Sequence, residues 1–150
     1  MRPGCWSTSR RGVVGGGYNA AVAMRARKRA EPDLGVVDYT LAKRALLRQV
    51  RRGILPVFDV CDAHPELMRA AKHVGQEIPR QCPVCERQQL RLLAYVYADD
   101  LKRDNGRVWE LNQAISLAAR RRGGACYVVE VCTGCAWNHL TEAFVRRSAG

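Results

Sequence analysis

Two C-x2-C pairs, Cys82-Pro83-Val84-Cys85 and Cys132-Thr133-Gly134-Cys135, constrain this chain more than any other feature. The spacing lets one tight turn aim both sulfurs at a single point while backbone N–H groups donate to the thiolates. Pro83 fixes φ in the first turn, and Gly134 is expected to permit the tight geometry of the second. Two such knuckles supply the four thiolates of a closed tetrahedral zinc site. Residues 86–131 lie between the pairs, a longer gap than the roughly 15–20 residues of a minimal pattern. A strand, a helix and a second strand fill it. A redox C-x2-C is the competing reading, but one pair suffices for that chemistry and it sits at a helix N-terminus. No cysteine-rich run suggests an iron–sulfur cluster. The expectation is one structural Zn2+ on Cys82, Cys85, Cys132 and Cys135. It has no catalytic role, because four thiolates leave no position for a reactive water.

The totals suit one compact soluble domain with a tail or small extra lobe: 150 residues, 47% hydrophobic and 26% charged. No run approaches the roughly 18 apolar residues of a membrane span. Arg25, Arg27, Lys28 and Arg29 fall where the apolar core of a secretory leader would run. A cytoplasmic location is expected, where reduced cysteine pairs point to metal before disulfide. The formal net charge is +11, and residues 1–31 carry seven Lys and Arg against one acid. That excess favours an anionic partner: RNA, DNA, a ribonucleoprotein or transcription complex, or else an acidic protein surface.

Residues 1–34 read as a disordered basic tail. Gly12, Gly15, Gly16 and Gly17 crowd together, no helical or strand period persists, and Met24 is an alternative initiator. Residues 35–79 read as a small helical lobe. Its first helix runs from about Tyr39 to Arg52, capped by Asp38 and ended by Gly53. Its second runs from Ala63 to Val74, capped by Asp62 with Pro65 in the first turn. The two resemble a helical hairpin. Residues 80–150 read as a zinc ribbon with a helical insertion. It has strands at Leu90–Tyr97 and Tyr127–Val131 and a helix at Glu110–Arg122, and Trp137–Val145 is ambiguous between strand and helix. The fold class is α+β: a helical lobe plus a short antiparallel sheet with one inserted helix.

Other chemistry-bearing residues are weaker candidates. His139 is an alternative ligand, but the four-cysteine set needs no exception. Cys61 and His64 form a C-x2-H pair at the start of the second helix, where a helix dipole would favour a thiolate; the simpler reading packs Cys61 in the core. Cys126 reads as a buried strand residue. Asp99 and Asp100 are adjacent, yet nothing converges them into a cleft. Arg48, Arg51 and Arg52 end the first helix and Arg120, Arg121 and Arg122 end the third. They are the candidate nucleic-acid contacts, although the helix dipole accounts for part of each run. Arg80, Arg87 and Arg91 flank the first knuckle and are candidates to screen its charge.

Val37-Asp38-Tyr39, the run Asp59-Val60-Cys61-Asp62-Ala63-His64-Pro65-Glu66-Leu67, Cys82-Pro83-Val84-Cys85, and Tyr127–Cys132 followed by Cys135-Ala136-Trp137-Asn138-His139-Leu140 together resemble an actinobacterial family known as domain of unknown function 5318. The resemblance spans about residue 36 to the C-terminus and implies no established activity. More distantly, the knuckles look like the ribbons of transcription and translation proteins. The resulting expectation is a non-enzymatic structural-zinc protein that binds nucleic acid or a nucleic-acid machine. A protein-interaction adaptor is the alternative, and a thiol redox protein is less favoured.

Overall fold

The computed structural model describes residues 33–147. The tail reading therefore lies outside the described residues except at its end, where Leu34 already opens a strand. Among the described residues are three helices and six strands, an α+β arrangement with an antiparallel sheet. In chain order they are β1 (Leu34–Asp38), α1 (Thr40–Arg51), α2 (Pro65–His73), β2 (Gln76–Gln81), β3 (Gln89–Tyr97), β4 (Arg107–Trp109), α3 (Leu111–Arg120), β5 (Ala125–Val131) and β6 (Asn138–Arg146). The strand order is β1-β6-β5-β3-β2, with β4 also paired to β3. β2 takes Arg91 and Leu92 of β3, and β4 takes Ala94 to Val96, so the two short strands share one edge of β3 end to end.

β3 is apolar almost throughout because both of its faces are covered. Leu90, Ala94 and Val96 pack into the main core with Leu47 of α1 and Leu111, Ala114, Ile115 and Ala118 of α3. Leu93 points the other way, into a smaller core with Ala71 of α2 and Val131 of β5. The alternation follows from strand geometry, in which successive side chains leave opposite faces.

The helical hairpin is therefore corrected. α1 and α2 cover opposite faces of the sheet, and the stretch expected to be a helical lobe contributes β1 and β2, one at each edge of the sheet. β1 and β2 escape a pattern reading because each has one buried residue, Leu34 and Ile78. Pro79 fits within β2 because that strand lies on an edge and its register shifts between Glu77 and Gln81.

Helix ends mostly follow their sequence signals. The N-cap of α1 is Tyr39, not the expected Asp38, which stands one residue ahead and accepts from the Thr40 N–H at 2.8 Å; Gly53 takes φ +70° after α1 as expected. The expected Asp62 cap does not form. Pro65 occupies the start of the helix, so the cap falls at His64, whose Nδ1 accepts from the Glu66 N–H at 3.3 Å. Glu110 caps α3 by accepting from the Gln113 N–H. The ambiguous segment after the second knuckle is strand β6.

Candidate metal centre

Each C-x2-C pair forms the turn of a hairpin, the first between β2 and β3 and the second between β5 and β6. β3 and β5 pair antiparallel from Arg91↔Val131 to Tyr97↔Ala125. The start of β3 therefore lies beside the end of β5, which places both turns at one end of the sheet.

The two turns repeat one backbone. Glu86 N–H donates to Cys82 O and Ala136 N–H to Cys132 O, each at 3.0 Å. Glu86 and Ala136 both hold positive φ, 55° and 66°. That conformation costs a side-chain-bearing residue about 1–2 kcal/mol, so each turn maintains it against local preference. Gly134 is needed for a different reason than expected. Its φ is not positive, but a Cβ there would lie 2.6 Å from Gln88 Cγ of the first knuckle. The knuckles pack directly on each other.

The Sγ atoms of Cys82, Cys85, Cys132 and Cys135 all lie within 4.8 Å of one another, a set that can hold a metal ion. Cys82 and Cys135 are 3.6 Å apart, and Cys85 and Cys132 are 3.7 Å apart. Burial pushes the Cys82 thiol well above its ordinary pKa and that of Cys135 up to about 12. At Cys85 burial is outweighed by the Arg87 N–H, the Cys132 thiol and the Gln88 N–H, which bring it down to about 6. Sulfurs this close do not all ionise at neutral pH without a cation between them.

The second knuckle is braced from beneath by Glu130, which is 0% exposed. Both of its oxygens accept from Lys43 Nζ of α1 at 3.0 Å, and Oε1 also accepts from Trp137 Nε1 at 3.0 Å. The buried charge is thus paired and hydrogen-bonded, the condition under which it is tolerated. Trp137 is itself fully buried and stacks on His139, with ring centroids 5.8 Å apart. His139 turns Nδ1 to Leu140 O at 2.6 Å and stands outside the clustered sulfurs.

Sequence reasoning missed the proximity of Cys61. Its Sγ donates to Cys135 Sγ at 3.7 Å. Burial raises its pKa; the hydrogen bond to Cys135 opposes this, and the charges of Cys82, Cys132 and Cys85 add to it. The segment is tied to the second knuckle just ahead of His64's cap: Ala63 N–H donates to Ala136 O and Asn138 Nδ2 to Asp62 Oδ1, each at 3.0 Å. His64 serves the helix cap. The C-x2-H pair with His64 and the family-like run marked Cys61, but neither named a partner 74 positions away.

The remaining candidates separate. Cys126 is buried in β5, and burial raises its thiol to about 12. Asp100 pairs with Arg121 at 3.0 Å, while the Asp99 carboxylate faces Gly123. Of the arginines flanking the first knuckle, Arg91 is turned to Glu77 and Gly75 O. Arg120, Arg121 and Arg122 lie where α3 meets the end of β3 and the start of β5, the end of the sheet away from the cysteines. Arg48, Arg51 and Arg52 are exposed on α1, whose Lys43 reaches the cysteine end instead.

Known proteins agree with the family resemblance. Uncharacterized protein Rv0049 of Mycobacterium tuberculosis strain H37Rv is 42% identical over 113 residues, covering 75% of this chain and 82% of the relative. Uncharacterized protein Mb0050 of Mycobacterium bovis matches to the same extent. No solved structure matches. Residues 29–150 match the family of unknown function DUF5318, and the chain belongs to that family.

Proposed function

We propose that the four knuckle cysteines hold one structural Zn2+, making the cysteine end a zinc ribbon, and that the protein is a non-enzymatic nucleic-acid-binding module. The observation that carries the metal reading is the convergence of four sulfurs from two hairpin turns of matching backbone. A Zn–S distance of about 2.3 Å puts tetrahedral sulfurs about 3.8 Å apart, close to the 3.6 and 3.7 Å separations present. An all-thiolate set suits zinc over the harder divalent ions. With four sulfurs bound, the ion contributes folding energy and activates no water.

Nucleic-acid binding is supported by α1. Arg44, Arg48, Arg51 and Arg52 follow one another at three- and four-residue spacing along one side of α1, flanking buried Leu47; all four are exposed, and none is ion-paired among the described residues. Such a face suits a phosphate backbone without reading sequence. Affinity for mixed RNA and DNA should be measurable at low salt and fall steeply as salt rises. No binding at low salt would contradict it.

Leu41, Ile54 and Phe58 are also largely exposed, at 76%, 68% and 74%, on α1 and the segment after it. They favour a second reading in which this surface docks on an acidic protein with an apolar centre. Capture of a partner that survives nuclease treatment would select that reading.

A further inference from the structure

We propose that Cys61 and Cys135 form an oxidation site through which a hydroperoxide releases the bound metal. The inference rests on the zinc reading and concerns a fifth thiol that the tetrahedron does not need. Cys61 Sγ lies 3.7 Å from Cys135 Sγ, and disulfide sulfurs lie about 2.05 Å apart, so the pair closes over about 1.6 Å. The thiol is held there on both sides: Val60 is buried in the main core, and Ala63 and Asp62 bond to Ala136 and Asn138 of the second knuckle. Access is selective as well. Cys82 and Cys132 are sealed at 1% and 0% exposure, whereas Cys61 and Cys135 are only partly buried. Cys85 is also partly buried, but its contact is another ligand, Cys132.

The step balances with a hydroperoxide as the two-electron oxidant. The Cys135 thiolate attacks one peroxide oxygen, the O–O bond breaks, and a sulfenic acid and hydroxide result. Cys61 sulfur then attacks the sulfenic sulfur. The S–O bond breaks, the S–S bond forms, and the Cys61 proton leaves with the departing hydroxide as water. Three thiolates remain for the metal, and its retention falls accordingly. A thiol reductant reverses the step by returning two electrons to the disulfide.

The test uses the full chain. Zinc content is measured first in untreated protein; hydrogen peroxide is then added with a chromogenic zinc chelator, and remaining thiols are alkylated for peptide mass spectrometry. The expected result is zinc release together with a Cys61–Cys135 disulfide, reversed by dithiothreitol and zinc. Cys61→Ala and Cys61→Ser should bind zinc before treatment, but without the resolving thiol Cys135 should pass on to sulfinic acid, and dithiothreitol with zinc should restore little of the metal. Zinc loss with Cys61 still free to alkylate, or full recovery by dithiothreitol in both variants, overturns this inference alone. Folded, untreated protein without zinc overturns the metal reading and this inference with it. Should a variant fail to fold, the disulfide map of the wild-type chain still decides.

Discussion

At the first knuckle, Cys82 to Cys85 turns between β3 and the edge strand β2, where Ile78 is the one buried residue. At the second, Cys132 to Cys135 turns between two central strands, over the Glu130–Lys43–Trp137 network and beside Cys61. The turns share their hydrogen bonds and their left-handed residue after the second cysteine. What differs is their support. The first is a local hairpin whose Gln88 packs against Gly134, while the second is the point where α1, the Cys61 segment and two strands meet. Identical local motifs can thus carry unequal shares of a fold, the larger share falling to the one with more tertiary partners.

The comparison can be broken most severely at the metal. Cys132→Ser removes a fully buried ligand and should abolish stoichiometric metal binding and cooperative folding, read by metal analysis and thermal melting. Apparent zinc binding energies of about 10–16 kcal/mol exceed the stability of a small domain. Cys85→Ser, on the less supported knuckle, should also lose metal but keep more residual sheet, seen as slower amide exchange in β5 and β6 than in β2.

Next in size is the brace. Lys43→Met leaves Glu130 buried without its counter-charge and should cost about 3–5 kcal/mol in a denaturant titration. Lys43→Met with Glu130→Gln keeps an acceptor for Trp137 Nε1 and should recover much of that loss. Equal destabilisation by the single and double variants would contradict the role given to the pair.

Smaller is the contact between the knuckles. Gly134→Ala pushes a methyl group against Gln88 and should cost about 1–3 kcal/mol. Adding Gln88→Ala should relieve most of it, and additive losses would show that the glycine acts otherwise. Smallest in stability is Arg48→Ala with Arg51→Ala and Arg52→Ala. These exposed changes should move stability by no more than about 0.5 kcal/mol each while weakening nucleic-acid binding and flattening its salt dependence. Unchanged binding would remove α1 from the proposed interface.

The sequence was most informative where chemistry and local period coincide. The four sulfurs, the β3–β5 pairing that converges them, and a helix end such as Gly53 all follow from spacing, apolar runs and a capping glycine. β1 and β2 were hidden because an edge strand buries half a pattern or less, and Pro79 argues against a strand until its edge position is known. The Lys43–Glu130 pair, 87 positions apart, and the Cys61–Cys135 contact leave no local trace, since each depends on how the chain returns over the sheet. A lone glutamate in an apolar strand was the available sign that something charged had to meet it. The helical hairpin failed for the same reason: amphipathic period says that a helix buries a face, not which side of a sheet receives it.

X-ray absorption at the zinc edge of the purified, reduced chain tests the metal centre most directly. The account predicts one zinc per chain in a shell of four sulfurs at about 2.3 Å, with no nitrogen or oxygen neighbour. A folded chain with no stoichiometric metal, or a shell that includes lighter atoms, would contradict it.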